Sequence, residues 1–148
     1  MRVVVQRVSG ASVSVDGGQV SRIGPGYLLL VGVGDADRND EVERMAEKVF
    51  NLRVFRDEAG KTNRSLSDVE GEILVVSQFT LYGDVRKGRR PSFVHAAEPQ
   101  IADARVEAFA RALEARGARV GRGAFGAEMQ VELTNDGPFT LILDAAEL

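Results

Sequence analysis

Cysteine is absent from this 148-residue chain, and histidine occurs once, as His95. The first absence excludes disulfides, thiolate metal sites and a cysteine nucleophile. The second leaves no histidine pair for a zinc site of ordinary composition. A Ser-His-Asp triad would have to be built on His95, which lies between Phe93-Val94 and Ala96-Ala97. A surface or hydrogen-bonded structural histidine is the stronger expectation. No Gly-rich segment matches a phosphate-cradling loop, and Gly24-Pro25-Gly26 reads as a hairpin turn. No apolar run approaches the ~18 residues that span a bilayer, and the opening Met1-Arg2-Val3-Val4-Val5-Gln6-Arg7 is soon broken by charge. The chain is therefore expected to need no metal, cofactor or membrane, and to be cytoplasmic.

What is present is enough for one domain over residues 1–148, since 44% of the residues are hydrophobic and the length suits a single core. The net charge of −3 argues against a strong nucleic-acid binder, but the charge is uneven. Between Arg86 and Arg122, nine Lys/Arg stand against four Asp/Glu, including Arg86, Lys87, Arg89 and Arg90 in one run. Such a run either tracks phosphates or forms a solvated loop.

The first third reads as an antiparallel meander of strands, Val3 to Val8, Ala11 to Val15, Gln19 to Ile23 and Tyr27 to Val33, joined by Gly-containing turns. After Asn39, a candidate N-cap, Val42, Met45, Ala46, Val49 and Phe50 recur on one helical face. A second helix starts near Pro99 with Ala102, Val106, Phe109, Ala110 and Leu113 on one stripe, and Gly117 ends it. Glu72 to Thr80 reads as a strand buried on both faces. Met129, Val131 and Leu133 alternate with polar residues, and Phe139 to Leu143 resumes the pattern after a Gly-Pro turn. The fold class is α+β: a mainly antiparallel, barrel-like sheet with two covering helices.

Two segments concentrate the chemistry. Ser77-Gln78-Phe79-Thr80 closes an apolar run with amide and hydroxyl groups. Alternation puts Gln78 and Thr80 on one face and Ser77 and Phe79 on the other. Free backbone N–H groups there suit an oxyanion hole, with Thr80 adding a hydroxyl. The alternative is a strand end whose polar groups bond neighbouring backbone. In Asn135-Asp136-Gly137-Pro138-Phe139-Thr140, the Gly137-Pro138 bond is either an ordinary hairpin turn or a cis peptide, with Gly137 open to close approach by a ligand.

These two motifs carry a resemblance. The chain resembles the D-aminoacyl-tRNA deacylases of the bacterial and eukaryotic type, whose Ser-Gln-Phe-Thr and Asn-X-Gly-Pro-X-Thr segments are matched by Ser77 to Thr80 and Asn135 to Thr140. The likeness runs from Val5-Gln6-Arg7-Val8 through Arg90-Pro91-Ser92-Phe93 to Leu143. It implies a homodimer that hydrolyses the ester between a D-amino acid and the terminal adenosine of tRNA. It also implies removal of glycine mischarged on alanine tRNA, as proofreading in translation.

The resemblance further implies that Gly137 and Pro138 form a cis pair, inserted into the partner's site to exclude L side chains. It assigns Gln78, Phe79 and Thr80 to the reaction centre, Phe79 through its backbone N–H, and makes Ser77 and Arg7 part of the substrate site. Phe125 and Met129 match residues at the adenosine end, although core packing would also explain both. Thr80 has no general base in view, so water assisted by the substrate's ribose 2′-hydroxyl is preferred to Thr80 as nucleophile. Phe139 stands where valine is commoner in the family and adds bulk beside the turn. A non-catalytic RNA-binding module or structural dimer is the competing class, and it would need only the basic face.

Overall fold

The computed structural model describes residues 1–148. In chain order the elements are β1 (Arg2–Val15), β2 (Gly18–Ile23), β3 (Gly26–Gly32), α1 (Asn39–Phe50), β4 (Phe55–Arg56) and β5 (Thr62–Arg64). There follow β6 (Glu72–Ser77), α2 (Pro99–Ala115), β7 (Arg119–Arg122) and β8 (Gln130–Asp144). Helix α1 starts one residue earlier than expected. Arg38, not Asn39, is the cap residue, because the Glu41 carboxylate reaches back to accept the Arg38 N–H at 2.9 Å. Pro99 is the first residue of α2, and the chain passes Gly117 at φ +96° beyond its end.

The long strand β1 organises the sheet. β8 runs antiparallel along one edge of it, while β2 pairs with Ala11 to Val15 and β3 with Arg2 to Val8 on the other. The expected meander is corrected on two points. Ser9-Gly10 does not separate two strands but forms a bulge within β1, across which β8 continues to pair. Gly24-Pro25-Gly26 is not a hairpin turn either: β2 and β3 do not pair with each other, and both lie along β1. β3 then pairs in parallel with β6, and β6 with β7, a short strand that the sequence pattern does not reveal. Parallel pairs need crossovers, which α1 and α2 supply. The sheet is mixed, with its longest pairings antiparallel.

The bulge in β1 divides the core. Val3 and Val5 face the helices with Tyr27, Leu29, Ile73 and Val75, against Met45, Val49, Phe109 and Leu113. Val8 faces the other way by simple alternation, and beyond the bulge the phase changes, so that Ala11 and Val13 join it with Leu28, Leu74 and Val76, where the sheet curls barrel-like around a second, smaller core. Each fully buried side chain of this size stabilises the fold by about 1.5–3 kcal/mol. Strand β6 contributes to both cores, as its continuous apolar pattern predicts.

Candidate active site

Burial of Ile73 to Val76 on both faces anchors β6, and its last ladder bond runs from the Gln78 N–H to the Val31 carbonyl at 2.7 Å. The chain then leaves the sheet. Gln78 (φ −146°, ψ 77°) leads into a 3-10 turn, Phe79–Tyr82, so strand alternation does not extend to Phe79 and Thr80. The expected sorting of faces is corrected accordingly, although Gln78 and Thr80 do meet, the Gln78 amide donating to Thr80 Oγ1 at 2.5 Å. A 3-10 turn leaves its first N–H groups without partners. The Phe79 and Thr80 N–H groups have no acceptor in the protein, whereas those of Leu81 and Gly83 are satisfied by Gln78 and Thr80 carbonyls.

Beside this turn lies a cavity of about 400 Å³, lined by Val31 and Val33, by Ser77, Gln78 and Phe79, by Phe93 to Pro99 in part, and by Ala102, Val106, Phe125 and Gly126. Phe79 is 56% exposed and meets Phe93 edge-on at 4.9 Å. Phe125 is a third aromatic ring in the lining, itself 39% exposed. Glu98 is the single ionisable residue in this wall, directly before Pro99 at the start of α2. Sequence reasoning missed Phe93, Glu98 and the first turns of α2 as site residues. The Pro at the helix start was the available signal, because it marks where the far wall begins.

The second motif does not form a hairpin turn. β8 is continuous, and since Gln6 pairs with Thr140 and Val8 with Asn135, residues Asp136 to Phe139 bulge out opposite Arg7 alone. The Gly137-Pro138 bond is cis, and both residues are exposed. Gly137 has φ +143°, and a Cβ there would lie 3.0 Å from the Arg7 guanidinium, so only glycine fits. Asn135 closes the base of the bulge by accepting the Phe139 N–H at 2.6 Å and donating to Gln6 Oε1 at 2.7 Å. Arg7 is no surface residue: it is 3% exposed, donates to the Asp136 carbonyl at 3.0 Å and to the Val54 carbonyl, and lies 4.8 Å over the Phe139 ring. The bulk of Phe139 thus packs beneath Arg7 and against the main core.

Within the chain the two motifs remain apart. Ser77, Gln78, Phe79 and Phe125 line the cavity, and Thr80 is linked to it through the Gln78 amide. Arg7, Gly137 and Pro138 are absent from the lining. So is Met129, half-buried against the smaller core, with its sulfur accepting the Ala124 N–H at 3.3 Å and so bracing the loop that carries Phe125. His95 is 60% exposed, 4.0 Å from Asp35 and outside the cavity wall. The basic run is exposed throughout. Arg86, however, is committed to Asp84 by bonds of 2.6 and 2.9 Å, which hold the Asp84 carboxyl well below the usual carboxylate range. Lys87, Arg89 and Arg90 make no ion pair. No cluster of three His, Asp or Glu side chains suits a metal, and no helix is long and apolar enough to cross a membrane.

The family described as D-Tyr-tRNA(Tyr) deacylase matches residues 4–144. The D-aminoacyl-tRNA deacylase of Thermomicrobium roseum is 62% identical over 148 residues, covering 100% of this chain and 96% of that protein. That of Roseiflexus castenholzii is 59% identical over 146 residues, covering 99% and 93%. Among solved structures, the c-Myc DNA unwinding element binding protein superposes with a TM-score of 0.90 at 44% identity, covering 97% of this chain and 98% of that one. A probable eukaryotic D-amino acid tRNA deacylase superposes with a TM-score of 0.83 at 20% identity, covering 96% and 97%, which is a likeness of fold.

Proposed function

The chain belongs to the D-Tyr-tRNA(Tyr) deacylase family, and from that premise we propose that it hydrolyses the ester between a D-amino acid and the terminal adenosine of tRNA. It is an ester hydrolase that spares L-aminoacyl-tRNA and, because glycine has no side chain to exclude, also clears glycine mischarged on alanine tRNA. The observation that carries this reading is the pair of unpartnered N–H groups at Phe79 and Thr80, beside an apolar cavity with little acid or base in its wall. Such donors stabilise the oxyanion of acyl transfer without side-chain chemistry. Thr80 Oγ1 already accepts the Gln78 amide and has no base beside it, which favours attack by water assisted by the ribose 2′-hydroxyl. The aromatic rings of Phe79, Phe93 and Phe125 suit the adenine and its ribose.

Chiral exclusion falls to Gly137-Pro138, working in the cavity of a second copy of the chain. Two features support this: the bulge is exposed and lies outside the cavity of its own subunit, and the outer edge of β8 has no strand partner. Gln78, Phe79 and Thr80 act at the reaction centre; Ser77, Phe125, Met129, Arg7, Gly137 and Pro138 shape the substrate site. Lys87, Arg89 and Arg90, with Arg86 tethered beside them, hold acceptor-stem phosphates. Incubating the pure protein with D-tyrosyl-tRNA and L-tyrosyl-tRNA tests the function directly, with deacylation of the D form alone expected. Loss of activity on dilution in parallel with dimer dissociation tests the shared site, and an active monomer by light scattering would refute it.

A further inference from the structure

We propose that Arg2 is a positioning residue for the hydrolysis, acting through Leu81 and Tyr82 to fix the 3-10 turn that aims the Phe79 and Thr80 N–H groups. The inference rests on the reading that these two groups stabilise the oxyanion. A turn of four residues holds itself weakly, since 3-10 geometry is poor and few bonds are internal. Its orientation must come from what surrounds it.

On one side the turn rests in a trough left by missing side chains. A Cβ on Gly32 would stand 3.0 Å from the Gln78 carbonyl oxygen and from Leu81 Cβ, and one on Gly34 would stand 2.7 Å from the Tyr82 ring. Tyr82 is tied there as well, its hydroxyl 3.3 Å from Asp37 Oδ2, which also accepts the Gly34 N–H at 2.6 Å. At the far end of the turn, one guanidinium makes three contacts. Arg2 Nη1 donates to the Leu81 carbonyl at 3.0 Å, the group lies 4.6 Å over the Tyr82 ring, and Nε donates to Asp144 Oδ2 at 2.9 Å. A planar fork makes edge and face contacts together, whereas an ammonium acts from one point. Arg2 on β1 and Asp144 at the end of β8 thereby transmit the rigid sheet to the turn. Neither residue lines the cavity.

A transition-state contact depends steeply on placement, and an error of about 1 Å costs up to about 100-fold. Arg2→Met keeps the apolar stem and removes the fork, and should lower kcat on D-tyrosyl-tRNA by about 10- to 100-fold with KM changed less than about twofold. Arg2→Lys should recover only part of kcat, and Asp144→Asn should fall between wild type and Arg2→Met. A purely structural role would lower kcat and ligand affinity alike, so two probes separate the cases. Affinity for a non-hydrolysable 3′-amide of D-tyrosyl-adenosine should hold, while affinity for the corresponding phosphonate, which mimics the tetrahedral oxyanion, should fall in step with kcat. Unchanged kcat in Arg2→Met overturns the proposal, as does equal weakening of both probes. If Arg2→Met fails to fold, Asp144→Asn decides: full kcat overturns the proposal, and reduced kcat with intact amide binding supports it. A wild-type protein that leaves D-tyrosyl-tRNA intact sinks the deacylase reading, and the proposal with it.

Discussion

The Phe79–Tyr82 turn and the Asp136–Phe139 bulge are both short irregular segments attached to regular strands, yet they treat their polar groups in opposite ways. The turn leaves the N–H groups of Phe79 and Thr80 open beside a cavity. In the bulge, Asn135 takes up the Phe139 N–H and Arg7 the Asp136 carbonyl, while the exposed tip carries Gly137 and Pro138. An unpartnered donor is costly unless a ligand or water meets it, so the turn has the character of a receptor. The bulge is instead a braced projection with a small exposed tip, the shape that the proposed insertion into a second copy requires. The two segments stay apart within the chain, and on the reading proposed above they meet only across two copies of it.

The comparison is broken most severely at Arg7. Arg7→Ala would strand the buried carbonyl of Val54, free the Asp136 carbonyl and remove the group under which Phe139 packs, costing about 3 kcal/mol of stability and collapsing the bulge. Urea denaturation should register that loss, and D-tyrosyl-tRNA hydrolysis should fall below detection while the 3-10 turn is untouched. A fully active Arg7→Ala protein would show that the bracing has no functional role.

Chemistry at the turn gives the next largest effect. D-aminoacyl-tRNA ending in 2′-deoxyadenosine, charged at the 3′ position, should be cleaved about 100-fold more slowly than the ribose form, whereas Thr80→Ala should stay within about 10-fold of wild type. The reverse pattern, a dead Thr80→Ala enzyme with normal cleavage of the deoxy substrate, would make Thr80 the nucleophile.

Smaller changes are expected away from both regions. Replacing Arg89 and Arg90 by Ala should weaken tRNA binding and lower its salt slope by about 1–2, one increment of roughly 0.9 per phosphate contact, with the D over L preference kept. An unchanged slope would mark the run as a solvated loop. Arg86 should matter less, because Asp84 already holds it. Least of all, EDTA should leave the rate unchanged, since neither region gathers metal ligands; inactivation that zinc reverses would contradict a site made of backbone donors.

The amount legible in sequence differs between the two regions for a physical reason. Ile73 to Val76 announce a doubly buried strand, because burial on both faces demands continuous apolar character. Pro99 and the stripe through Phe109 and Leu113 likewise announce α2. Phe93 and Glu98 stay hidden, since nothing in their local pattern says that the segment before α2 folds against Val33, Gly34 and the Phe79 turn. β7 is hidden too, as four residues with two arginines resemble a loop until β6 pairs with them. Gly24-Pro25 and Gly137-Pro138 both look like hairpin turns; one interrupts a strand and the other is a bulge, because β1 pairs along its length and keeps both flanking chains in line.

By itself the sequence determined the α+β class, the two helices, the doubly buried strand and the two motifs. All of these depend on residue type and near-neighbour spacing, which set backbone preference and the choice of buried face. Only the tertiary structure decided that Arg7 is buried, that Phe79 and Thr80 leave the strand, and that Arg2 reaches Leu81 and Tyr82. These features arise from pairs far apart in the chain, and a side chain's partner is settled by which strands lie side by side, information that no local pattern carries.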